Sequence, residues 1–164
     1  MSIRRFEIER FSVTASRPFE AVVAALKAAV GRLDLVEFAK ASKGPGTFAE
    51  LERVIDRDLG RTGLMLFIEL DHGAVLRKES GLNTPKSVRL VIGNPLIMKE
   101  MAKHVPDAGS YAPVTILIDE RSDGVHLTYD RMASLLAPYG NPDALKVAQD
   151  LDRKVEKLLN EAGA

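Results

Sequence analysis

The chain has 164 residues, a length that suits one domain spanning residues 1–164 and leaves about 68–70% of the extended surface to be buried in a single core. Lys plus Arg and Asp plus Glu each number 23, aromatic residues make up 5%, and Trp is absent. The sequence therefore offers no steering field for nucleic acid or an anionic bilayer, and little material for base stacking. With no cysteine the chain excludes a disulfide framework, an iron–sulfur cluster, a thiolate zinc site and a Cys nucleophile. Its start, Met-Ser-Ile-Arg-Arg-Phe-Glu, carries charges where a signal peptide needs an apolar core, and no run approaches the ~20 apolar residues of a spanning helix. A cytoplasmic, membrane-free protein is expected.

From Ile3 to Thr14 apolar residues alternate in two phases, Phe6 with Ile8 and then Phe11 with Val13, which predicts a strand with a bulge near Glu9 and Arg10. Ser16, Arg17 and Pro18 open a helix whose stripe is Phe19, Val22, Val23, Leu26, Val30 and Leu33, with Gly31 as a stop. Residues 41–46, Ala-Ser-Lys-Gly-Pro-Gly, read as a loop. Thr47 and Glu50 then form a capping box for a helix with Phe48, Leu51, Val54, Ile55 and Leu59 on one face, ending at Gly60. Leu64 to Leu70 is apolar at both parities, the pattern of a central strand covered on both sides.

After Asp71-His72-Gly73-Ala74 a short helix runs to Ser80, with Gly81 as its stop. Val88, Leu90 and Ile92 mark a strand ending at Gly93; Asn94 is an N-cap and Pro95 fits the first helical position, so a helix starts there with its free N–H groups aimed back at the strand end. Ala112 to Asp119 is the next strand, and Ser122-Asp123-Gly124 turns it into Val125, Leu127 and Tyr129, a hairpin signal. Met132 to Leu136 is a helical turn. Asn141-Pro142 opens the last helix, with Ala144, Leu145, Ala148, Leu151, Val155, Leu158 and Leu159 inside and Asp150, Asp152, Arg153, Lys154, Glu156 and Lys157 outside or at its margin. Helices bracketing a mainly antiparallel sheet make the fold class α+β, with the long C-terminal helix packed on the sheet. No Gly-x-Gly-x-x-Gly or Walker-type loop follows any strand.

Four stretches carry a resemblance: Phe67-Ile-Glu-Leu-Asp-His-Gly-Ala74, Leu90-Val-Ile-Gly-Asn-Pro95, Pro113-Val-Thr-Ile-Leu-Ile118 and Tyr129-Asp130. In order and spacing they resemble the family called domain of unknown function 302 (DUF302), over roughly residues 3 to 160. The resemblance implies a TBP-like curved sheet in the order β-α-β4-α and a homodimer, and it implies no activity. The loop Pro106-Asp-Ala-Gly-Ser-Tyr-Ala-Pro113 departs from the family pattern by being longer and more polar.

Of the three histidines, His72 follows an acid at a strand end, where it can serve as a base or ligand with Asp71 fixing its ring. The plainer reading makes Asp71 the cap of the next helix. Met98, Met101 and His104 recur at three-residue steps, a set of soft ligands for Cu(I), or simply the core stripe of a short helix. His126 alternates with Val125 and Leu127 and so belongs on the opposite sheet face. Tyr129 either packs the rim or joins His72, Asp71 and Asn94 in an acid–base set. Ser80, Ser110 and Ser134 lack an elbow motif.

The expectation is a ligand-binding or sensory domain with no cofactor, its site formed by His72, Gly93, Asn94 and Tyr129. An acid–base enzyme using His72, Tyr129 and Asp71, a metal-handling protein, and a structural oligomerisation module remain open.

Overall fold

Alternation of buried apolar residues with outward-facing ones in two neighbouring strands sets the architecture. In the computed structural model, which describes residues 3–164, β5 (Val114–Arg121) buries Val114, Ile116 and Ile118, and β6 (Gly124–Asp130) buries Val125, Leu127 and Tyr129 on the same side. Met1 and Ser2, the first residues of the expected domain and of its charged start, lie outside the described residues. The expected hairpin joins β5 to β6, with Arg121 facing Gly124. Two further strands extend the layer, β1 (Arg10–Ala15) beside β6 and β4 (Ser87–Gly93) beside β5. Beyond β4 come β3 (Met65–Asp71) and the two-residue β2 (Gly31–Arg32), giving the order β1-β6-β5-β4-β3-β2, antiparallel except between β2 and β3.

Helices α1 (Phe19–Ala29) and α7 (Pro142–Gly163) pack against one another and close one face of this sheet. Their apolar stripes, Phe19, Val22 and Leu26 on the first and Ala148, Leu151, Val155 and Leu158 on the second, meet Leu90, Ile116 and Leu127 in one continuous core. A second, smaller core lies on the other face, where the pair α2 (Leu35–Lys43) and α3 (Phe48–Asp58) closes Leu33, Ile55 and Met65 together. The remaining helices are α4 (His72–Ser80), α5 (Pro95–Ala102) and α6 (Met132–Leu136). With β2, α2 and α3 and the short connecting helices α4, α5 and α6 set aside, the strand and helix order is the expected β-α-β4-α.

Four expectations change. The first strand begins at Arg10, and the early phase of alternation belongs to a non-regular lead-in: Phe6 packs on Tyr111 and Tyr139, so no bulge is needed. Residues 35–43 form a helix that takes in the first three residues of the expected 41–46 loop, capped by the Asp34 carboxylate, which accepts from the N–H groups of Val36 and Glu37. Asp152 is fully buried, not marginal. Strand β3 is covered on both faces only at its start. Leu64 and Met65 are sealed, but Ile68 is 48% and Leu70 40% exposed.

A bulge explains that last difference. Leu66 faces Ile92 and Ile68 faces Val91, so Phe67 is the extra residue and the parity of everything after it is reversed. Ile68 and Leu70 thereby move to the outer face beside Val91 and Arg89. Glu69 moves to the helical side, where it binds Lys27 of α1 at 2.5 Å.

Candidate functional site

The junction after β4 folds as its residues dictate. Gly93 is buried, and a Cβ there would lie 3.2 Å from that of Pro113, so the chain leaves the sheet at close range to the start of β5. Asn94 then caps α5: its Oδ1 accepts from the Leu96 N–H at 2.8 Å, its Nδ2 donates to the Gly63 carbonyl at 3.1 Å, and Pro95 occupies the first turn. Both polar ends of the Asn94 side chain are thus engaged.

Beneath this junction is a cavity of about 160 Å³. Gly93, Asn94, Ile97 and Met98 form one wall, Ala112 and Pro113 another, and Phe38 of α2, Phe67 of the bulge and Leu151 of α7 complete it. It lies where the main core meets the smaller one. Its lining is apolar apart from the occupied amide of Asn94, so a guest is selected by shape and size, not by hydrogen bonds. The pocket is partly open, and its volume is close to that of an engineered apolar cavity that admits benzene.

The other expected site residues are distributed differently. Asp71 lies opposite Val88 and Gly93 opposite Met65, so the Asp-His and Gly-Asn-Pro segments stand at opposite ends of the β3–β4 pair. The Asp71 carboxylate accepts from the Ala74 N–H at 2.9 Å and pairs with Arg77 at 2.8 Å, which makes it the helix cap. Partial burial pushes its pKa up, but the Arg77 guanidinium and the Ala74 N–H outweigh this and hold it below the usual carboxylate value. His72 is exposed and lines a shallow trough on the outer sheet face with Arg10, Arg89, Leu117, Thr128 and Asp130. His126 lies on that outer face too, its Nε2 2.8 Å from the Asp123 carboxylate.

Tyr129 borders the same trough, yet its hydroxyl belongs to the opposite face. That hydroxyl donates to the buried Asp152 carboxylate at 2.6 Å. Asp152 also accepts from the N–H groups of Met132 at 2.8 Å and Ala133 at 3.0 Å, so it caps α6, with Arg131 at 3.7 Å. Burial, then the Asp152 charge, raise the Tyr129 pKa far above its ordinary value, leaving it a neutral donor with no path to His72. Sequence reasoning missed Asp152, although the signal was present: position 152 is four beyond Ala148 and three before Val155, on the apolar stripe itself.

The Met98, Met101 and His104 set is not assembled. Met98 and the fully buried Met101 both border the cavity, but His104 stands apart in the exposed turn after α5 ends at Ala102. Among the described residues no group of three or more His, Cys, Asp or Glu is placed to hold a metal ion. No described helix is long and apolar enough to cross a membrane.

A mainly antiparallel sheet with one helical layer, a partly open second face and an apolar cavity at the strand-to-helix junction defines an α+β fold. Comparison with known proteins gives it a family. The family model described as "Domain of unknown function DUF302" matches residues 38–162, and the chain belongs to that family. Among solved structures it is similar to the crystal structure of an uncharacterized conserved DUF302 protein from Bacillus stearothermophilus, with a TM-score of 0.64 and 14% identity over 93% of this chain and 97% of that one. No curated protein matches.

Proposed function

We propose that the protein is a small-molecule binding domain whose site is the cavity behind Gly93-Asn94-Pro95. The observation that carries this reading is the nearly all-apolar lining of a partly open pocket of about 160 Å³. The guest is a compact apolar molecule or an apolar head group of roughly the size of a monocyclic ring. Of the expected ligand residues, Gly93 and Asn94 border this site; His72 and Tyr129 are not part of it.

The test is thermal unfolding in the presence of small apolar compounds such as toluene and indole, on the unaltered protein and on Ala112→Leu, which extends a side chain into the void. A compound at a hundredfold excess over its Kd adds about 2.7 kcal/mol of stability. The expected result is a raised Tm that Ala112→Leu abolishes while keeping or raising the stability of the empty protein. A shift that survives the substitution, or no shift with any compound, removes the reading.

A second reading concerns partners and rests on Ile68 and Leu70, apolar residues that stand half out of the sheet. We infer that the outer face pairs with a second copy of the chain. Across the strands the outward row runs Leu70, Arg89, Leu117, Thr128, with the Arg10–Asp130 pair beside it, so apolar and charged groups alternate over this face, which suits a two-fold, self-complementary contact. Sedimentation velocity is expected to give a dimer that Leu70→Glu converts to a folded monomer. A monomer at all concentrations overturns it.

A further inference from the structure

The loop that departs from the family pattern holds a second hollow, unrelated to the apolar cavity. It is open, about 440 Å³ in volume, and lined by Arg4, Phe6, Asp107, Ser110, Tyr111 and Tyr139. Three separate segments supply its aromatic walls. Phe6 comes from the lead-in before β1, Tyr111 follows the 3₁₀ turn Pro106–Ser110, and Tyr139 ends the 3₁₀ turn Ala137–Tyr139. In a chain with only 5% aromatic residues, two of its three tyrosines and a phenylalanine converge here.

The geometry of the rings is that of a partial cage. Phe6 meets Tyr111 edge-on, with centroids 6.3 Å apart and planes at 69°, and meets Tyr139 at 6.0 Å and 31°. The two tyrosine hydroxyls lie 3.0 Å apart and hold their rings in place. Bonding to Tyr111, then partial burial, then Asp107 raise the Tyr139 pKa, so that ring stays neutral and keeps its electron-rich face. Asp107 adds a carboxylate to the same lining.

A cationic group already uses this surface. The Arg4 guanidinium stands over the Tyr139 ring, 4.9 Å from its centroid. Arg4 itself is exposed and belongs to a stretch with no regular structure, so among the described residues its hold is a cation–π contact on a side chain that water can reach. We propose that this hollow is a binding site for an organic monocation, an alkylated ammonium or guanidinium group, and that Arg4 is its built-in competitor. The rings supply the attraction that such cations find on aromatic faces, Asp107 supplies the opposite charge, and a bare metal ion, far more strongly hydrated, gains less from the same walls.

Tyrosine emission provides a direct readout, because the chain has no Trp and its remaining tyrosine, Tyr129, is buried elsewhere. Titrating the full chain with tetramethylammonium and with methylguanidinium separates the two head groups, and tert-butanol serves as a neutral isostere of the first. Saturable changes with one or both cations, and none with tert-butanol or sodium at equal ionic strength, are expected. Arg4→Ala should tighten cation binding about two- to fivefold, the value of one exposed cation–π contact. Asp107→Asn should weaken it, and Tyr139→Leu should abolish it while Tyr139→Phe retains it. Equal binding of tert-butanol, or an Arg4→Ala protein that binds cations no better than the original, overturns the proposal. The comparison of charged and neutral probes on the unaltered protein stands even if a variant fails to fold.

Discussion

The two faces of the sheet are built from alternate residues of the same strands and meet different fates. On the face beneath α1 and α7, Leu90, Ile92, Ile116, Ile118 and Leu127 are 0–1% exposed. One residue along each strand, Arg89, Leu117 and Thr128 face outward and line an open trough. In β5 and β6 the two fates follow the sequence, apolar inward and mixed outward. Strand β3 breaks the rule, because its bulge at Phe67 sends Ile68 and Leu70 outward and turns Glu69 in toward Lys27. One inserted residue thus converts apolar residues that would have faced the helices into an uncovered patch. A one-residue change of register costs nothing in composition and reverses which surface is sticky.

The covered face also holds the one buried charge among the described residues, and the largest predicted effect lies there. Asp152 accepts from Tyr129 and from two backbone N–H groups. Asp152→Ala removes the acceptor of all three donors, leaving Met132 N–H only the Tyr129 hydroxyl while Arg131 keeps Glu9 and Glu156, and should cost about 3–5 kcal/mol in urea unfolding. Tyr129→Phe removes one donor and leaves the carboxylate with two, so about 1–3 kcal/mol is expected. A loss below about 1 kcal/mol for Asp152→Ala would mean that the helical face does not depend on this polar joint.

How much of this was legible depends on whether the signal was local. Asn94-Pro95, Thr47 with Glu50, and Asp123-Gly124 act within a few residues of themselves, and each appears as the cap or turn expected. The α+β class and the position of α7 followed from periodicity over longer windows. The bulge was not legible, since Leu64 to Leu70 is apolar at both parities and supports either register. The site suffered for the same reason: Gly93 and Asn94 do border a cavity, but Phe38 and Leu151 on its far walls are brought there only by tertiary packing. The distance between the Asp71 and Gly93 ends of the sheet is likewise a matter of pairing, which no short motif encodes.

A paired substitution sharpens the contrast between faces. Leu127→Ala, on the covered side, should cost about 2–5 kcal/mol whatever the protein concentration. Leu117→Ala, on the outer side, should cost under about 1 kcal/mol in dilute solution, since its side chain already meets water in the trough. If a second copy covers that face, the cost of Leu117→Ala grows as the concentration rises through the dimer range, and that of Leu127→Ala does not. Equal costs at all concentrations would show that the outer leucine is part of a rigid interior.

The smallest predicted effect lies at the margin of the open face, where Asp71 caps α4 and pairs with Arg77. Asp71→Ala should cost about 1 kcal/mol at neutral pH, the value of an N-cap. The sign with pH follows from the direction of its shift. Because the folded-state pKa of Asp71 lies below the ordinary carboxylate value, the carboxylate's contribution is complete above the unfolded value and is lost as pH falls through the folded one. The stability gap between the original protein and Asp71→Ala should therefore be constant at neutral pH and narrow only below about pH 4. A gap that is already closed at neutral pH would show that the Asp71 carboxylate is not the group that steadies this corner of the sheet.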